Sequence, residues 1–144
     1  MDIPDDRSAL HFRDETLSTI RPILAPHGYR VALVSETLVR FESDRVYIEA
    51  YHGAYDYEVA IRFGRLERQD DFSFILFLRG ANPVLAQQIG DGVAFEREDV
   101  ARLLALLGCA LSTDGLPIVR DATDVFERMK SVRWWHFMPG VLRD

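Results

Sequence analysis

Between Tyr29 and Phe63 the chain reads YRVALVSETLVRFESDRVYIEAYHGAYDYEVAIRF, apolar and polar residues alternating through successive runs separated by turn residues. Such alternation places every second side chain on one face of a strand. The inward set is Tyr29, Val31 and Leu33; Val39 and Phe41; Val46, Ile48 and Ala50; and Tyr57, Val59, Ile61 and Phe63. The pattern predicts a four-stranded antiparallel meander with one face committed to a core.

Register follows from keeping apolar faces aligned. A turn at Ser43 and Asp44 pairs Phe41 with Val46 and Val39 with Ile48, with Arg40 opposite Tyr47 outside. In the next hairpin, pairing Ala50 with Tyr57 would oppose Glu49 to Glu58 and Arg45 to Arg62, which is unfavourable. Pairing Ala50 with Val59 avoids this. The outer face then carries Arg40, Tyr47, Glu49, Tyr51, Glu58 and Arg62.

The flanks read as helices. One is expected over residues 8–25, with Phe12, Leu17, Ile20, Ile23 and Leu24 as its stripe and Pro22 as a kink or a new start. FSFILFLRG (72–80) fits either a fifth strand or a helix capped by Ser73 or Asp71, with helix preferred. Asn82 and Pro83 start a short helix through Ile89, closed by Gly90 and Gly92. From Glu96 a leucine-rich helix carries Val100, Leu103, Leu104, Leu107 and Leu111, with Ala105, Leu106 and Cys109 extending its apolar face nearly around. Gly108 or Gly115 ends it, and Pro117 begins a connection. Asp121 caps a last helix with Val125, Phe126, Met129 and Val132 on one stripe, closed by Pro139 and Gly140.

The expected architecture is therefore α+β: an N-terminal helix, the four-stranded sheet, and C-terminal helices packed on one sheet face. The 144 residues suit one domain, with 1–7 expected to fray. The acidic start lacks the features of a secretory signal, and VARLLALLGCAL is too short to span a bilayer. A single cysteine, Cys109, permits no internal disulfide and reads as an inert core thiol in a reducing compartment. These features favour a cytoplasmic protein. A net charge of −6 argues against nucleic acid as the direct partner and for a basic protein. All but one of the 17 basic residues are arginine, Lys130 being the exception, a bias of GC-rich bacterial coding.

No GxxxxGK[ST], GxGxxG, GxSxG, HExxH or CxxC motif occurs, so no catalytic residue, metal site or cofactor is assigned. His11 with Glu15 supplies two ligand types but not a metal site, and His52 with Asp56 or Glu58 is read as an ordinary turn rather than an acid/base pair. Two clusters mix apolar area with directional hydrogen bonding, as interfaces do. One is Arg40, Tyr47, Tyr51 and Arg62 on the outer sheet face, whose alternative is a solvated face stitched by cross-strand pairs. The other is Arg133, Trp134 and Trp135, followed by His136, Phe137 and Met138, where either core packing or partner contact accounts for adjacent tryptophans.

APHGYR, LVRFESDRVYIEAYHG and YEVAIRFGRL, followed by the leucine-rich helix, resemble small bacterial α+β proteins of the kind proposed as immunity partners of polymorphic toxins. The resemblance implies a cytoplasmic, non-catalytic protein that binds another protein, and the acidic balance suits masking a basic toxin domain. A secretion-chaperone-like acidic module, which would dimerise, and a small-molecule-binding domain or enzyme without a recognisable motif are the alternatives. A homodimer is compatible with any of them.

Overall fold

The computed structural model describes residues 7–68 and 70–131. Strands β1 (Arg30–Val34), β2 (Leu38–Glu42), β3 (Val46–His52) and β4 (Val59–Arg65) pair antiparallel in chain order. A two-residue strand, β5 (Phe72–Ser73), adds to the β4 edge, giving five strands rather than four.

Both hairpin registers correct the sequence reading. Phe41 pairs with Ile48 and Val39 with Ala50, because the turn is Asp44 and Arg45. Ser43 sets it: the Ser43 hydroxyl accepts the Val46 N–H at 3.1 Å and the Ser43 N–H donates to the Val46 carbonyl at 2.9 Å. In the next hairpin Ala50 pairs with Ile61, neither Val59 nor Tyr57, across a longer loop closed by the Gly53 N–H on the Glu58 carbonyl. Arg40 thus faces Glu49, and Glu49 faces Arg62.

The inner face holds as expected from Val39 to Phe63, except that Tyr57 is only half-buried: Val39, Phe41, Val46, Ile48, Ala50, Val59, Ile61 and Phe63 are all buried. Leu33 is the exception, at 55% exposed. Val31 pairs with Phe41 but Leu33 with Arg40, so one extra residue reverses the parity of β1 and turns Leu33 to the outer face.

The expected first helix is broken into short pieces. A 3₁₀ turn (Arg7–Leu10) precedes α1 (Phe12–Thr19), and α2 (Arg21–Leu24) starts afresh with Pro22 in its first turn, where a missing N–H costs nothing. Phe12, Ile20 and Leu24 are fully buried. Beyond β5, α3 (Phe74–Ala81) is capped by Ser73, so FSFILFLRG supplies both alternatives, a strand and then a helix. Asn82 caps α4 (Pro83–Ile89) by accepting the Leu85 N–H at 3.1 Å.

In α5 (Arg97–Ser112) the apolar face is narrower than expected, with Ala105 and Cys109 exposed; the thiol is no core filler. Gly108 does not end α5. It is buried within it, and a Cβ there would lie 3.1 Å from Ile23 Cδ1 and 3.3 Å from Thr19 Cγ2, so the glycine lets α1 and α2 pack close. Gly115 precedes α6 (Leu116–Val119) with an ordinary φ of −83°, and Pro117 lies inside that helix rather than in a connection. Helix α7 (Thr123–Ser131) buries Val125, Phe126 and Met129. Asp121 does not cap it but sits 3.4 Å from Arg65 Nε. Val132, the cluster Arg133 to Met138, Pro139 and Gly140 lie outside the described residues.

The helices cover one face of the sheet, and their buried side chains join those of the strands in one hydrophobic cluster. Tyr29 ties the layers together by donating its hydroxyl to the Val119 carbonyl at 2.9 Å. Among the described residues no helix is long and apolar enough to cross a membrane.

Candidate functional site

The outer sheet face gathers Arg40, Tyr47, Tyr51 and Arg62, as their shared parity requires. Adjacent strands deliver Arg40, Glu49 and Arg62 side by side. Glu49 is the hinge of the arrangement: one carboxylate oxygen accepts Arg62 Nε at 2.7 Å, the other Arg40 Nη1 at 3.2 Å. Arg40 also donates Nε to Glu42 at 2.7 Å. The guanidiniums then lie over tyrosine rings, Arg40 4.1 Å from the Tyr47 centroid and Arg62 4.8 Å from that of Tyr51.

The face is not the open ladder that alternation suggested. After β4 the chain turns back across it, and the Tyr47 hydroxyl donates to the Asp70 carbonyl at 2.6 Å and contacts Asp71 Oδ1 at 3.3 Å. Tyr47 is 6% exposed and Glu49 4%, whereas the Arg62 side chain keeps 39%. Burial first, then the Asp71 carboxylate, pushes the Tyr47 phenol well above its ordinary pKa, so it stays a hydrogen-bond donor. Beneath the crossing segment, Arg40, Arg62, Arg65, Tyr47, Asp70 and Asp71 border a cleft of about 310 Å³ floored by Glu49. Asp70 Oδ2 is buried there with no hydrogen-bond partner among the described residues. Arg133, Trp134 and Trp135 lie outside the described residues.

Glu49 is nearly buried between two cations, so its removal takes from Arg62 its carboxylate partner and leaves Arg40 with Glu42 alone. Glu49→Ala should lower stability by about 2 kcal/mol, less than for a fully buried pair because the arginines reach water. Urea titration reads this directly; a loss within experimental error would mean that the network contributes nothing.

His52 departs furthest from its sequence reading. It is no turn residue: it ends β3, is buried, and spends both ring nitrogens on structure. The Ala94 carbonyl can only accept, so Nε2 donates to it at 2.9 Å and Nδ1 accepts from Arg7 Nη1 at 3.1 Å. Neither nitrogen is left for Asp56 or Glu58. Arg7 also donates to the Gly53 and Ala54 carbonyls and stacks 3.8 Å from the Tyr57 ring. Tyr57 reaches this position with a left-handed φ of 56°, a conformation costly for a side chain of its size.

Burial, with a smaller push from Arg7, lowers the His52 pKa below its ordinary 6.5. The unfolded chain therefore binds more protons than the folded one once pH falls below 6.5, and this contribution to stability is lost on acidification. The expected slope is at most about 1.4 kcal/mol per pH unit. His52→Gln, which can keep a donor and an acceptor, should flatten the stability profile just below neutrality; an unchanged slope would assign it to other groups.

His11 pairs with Asp14 at 3.7 Å rather than with Glu15, and among the described residues no group of His, Cys, Asp and Glu could hold a metal ion. An apolar groove of about 420 Å³ opens between α3, α6 and α7, bordered by Phe77, Pro117 and Met129. Compared with known proteins, the chain matches no family model, no curated protein and no solved structure.

Proposed function

We propose that the chain is a non-catalytic protein-binding module of the bacterial cytoplasm, of the immunity type that neutralises a toxin domain, and that it binds through the outer face of its sheet. The observation that carries the reading is the clamping of Arg40 and Arg62 by the buried Glu49, which holds two guanidiniums and their tyrosine platforms in place before any partner arrives. Arginine and tyrosine are enriched among residues that dominate binding energy, and pre-ordering removes part of the entropy cost of using them. The net charge of −6 suits a basic partner, with the exposed Asp71 carboxylate at the cleft as its first contact.

The test must separate binding from folding, because reversing Arg40 or Arg62 would also unbalance Glu49. Arg40→Lys with Arg62→Lys keeps positive charge beside the carboxylate but removes the planar fork. With a partner captured from the native host, this variant should melt near the parent temperature and bind at least about tenfold more weakly, a loss of about 1.4 kcal/mol. Unchanged affinity would sink the proposed face.

A further inference from the structure

Arg7 is a staple across the tip of the β3–β4 hairpin. Its guanidinium meets His52 Nδ1 at 3.1 Å, donates to the Gly53 and Ala54 carbonyls at 3.1 Å each, and lies over the Tyr57 ring. The far end of the loop has a second hold: the Ala94 N–H donates to the Tyr57 carbonyl at 2.9 Å, and Phe95 packs on the Tyr57 ring. The near end depends on Arg7 and on the Gly53 N–H, which reaches the Glu58 carbonyl at 2.9 Å. Between them Tyr55 is 98% exposed.

One member of this arrangement can change its charge. His52 Nε2 donates to the Ala94 carbonyl, so Nδ1 must be free of a proton to accept from Arg7. A proton added at Nδ1 would set a second positive charge against a guanidinium that has only donors. Like charges in contact and sheltered from water repel strongly. Of the two groups the imidazole is the fixed one. It is 2% exposed, stacked 5.9 Å from Phe12 and edge-on 5.7 Å from Tyr57, and its N–H is bonded to the Thr37 carbonyl at 2.8 Å. Arg7 heads a four-residue 3₁₀ turn whose buried side chain is Leu10.

We propose that protonation of His52 expels the Arg7 guanidinium and releases the near end of the β3–β4 loop, an acid-opened latch on a sheet that stays folded beneath it. The other groups facing the ring fit this direction. The Asp56 carboxylate and the Tyr57 carbonyl from the loop, and the Ala94 carbonyl from the segment after α4, all favour the charged ring; Phe12 of α1 brings no charge, and Arg7 is the opposing cation. Once Arg7 has left, the imidazolium keeps acceptors and the guanidinium gains water. With Arg7 in place and the ring buried, the proton is taken up only below the ordinary 6.5, so the latch is shut at neutral pH and opens on acidification. None of these residues belongs to the clamped arginine network, so the inference is independent of the partner reading above.

Histidine titration and amide exchange by NMR on the full chain, from about pH 8 downward, test it residue by residue. As His52 titrates, the protection factor of the Gly53 amide should fall at least about tenfold while amides at the centre of β3 and β4 hold theirs. His52→Gln, which cannot take up the proton, should keep Gly53 protected throughout. Arg7→Ala should leave Gly53 unprotected already at neutral pH and, by reciprocity, raise the pH at which His52 titrates. A Gly53 amide still protected when His52 is charged, the same acid opening in His52→Gln, a His52 titration unmoved by Arg7→Ala, or a sheet that opens together with the tip would each overturn the proposal.

Discussion

Replacing Phe63 with alanine should destabilise the protein by about 4 kcal/mol, the upper range for removing a buried aromatic. Phe63 is fully buried in β4, and four rings surround it: Phe72 at 5.6 Å, Phe126 at 5.8 Å, Phe74 at 6.4 Å and Phe77 at 6.5 Å between centroids. The first two meet it tilted and edge-on, arrangements worth more than their area alone. These rings come from β5, α3 and α7, so the cavity would open where the sheet meets three later elements. Whole-domain stabilities are typically about 5–15 kcal/mol, so the variant should lose much of its margin. Guanidinium unfolding followed by fluorescence measures it, and a loss below about 2 kcal/mol would mean that the rings close over the gap.

Gly64→Ala should cost about 3 kcal/mol although it only adds a methyl group. A Cβ at this position would overlap the Asp70 carbonyl oxygen and lie 2.7 Å from the Asp70 carbonyl carbon and 2.9 Å from Tyr47 Cε1. Backbone occupies the space, so no side-chain rotation relieves the overlap; the crossing segment has to lift. The loss should be local as well as global, with faster amide exchange at Phe72 and Ser73 and a broken Tyr47–Asp70 hydrogen bond. Wild-type exchange at those amides would show that the segment has room to spare.

How far the sequence reveals this molecule depends on the range of the interaction. Alternation from Val39 to Phe63 is a local property of strands, and it identified the inner face there except at Tyr57, which is half-buried. Registers depend on loop length, which strand alternation does not fix. The rule that opposed charges should differ in sign favours Ala50 with Val59 over Ala50 with Tyr57, but the longer loop satisfies it better by setting Glu49 against Arg62. The bulge in β1 has no local signature, since Val31, Ala32 and Leu33 are all apolar and any of them could be the extra residue. Gly108 looked like a helix end because a crowding helix from elsewhere in the chain is invisible from its neighbours.

The site divides in the same way. Outward parity brought Arg40, Tyr47, Tyr51 and Arg62 together correctly. That the chain returns over Tyr47 depends on residues more than twenty positions later, and Gly64 is the only sequence trace of it. The Arg7–His52 contact spans 45 positions and leaves no trace, which is why His52 read as a turn residue.

The order of the sheet matters for how the protein is made. Each strand pairs with the one synthesised just before it, so the hairpins can close while the rest of the chain is still on the ribosome. The inner face can be covered in part by α1 and α2, made before it, and by α3, but its cover over β4 is complete only with α5, which ends at Ser112. At roughly 5–20 residues per second this is an interval of a few seconds in which a finished sheet presents an incompletely covered apolar side. Synthesis speed between β4 and α5, and the chaperones that meet the chain there, should therefore influence yield more than any event after release.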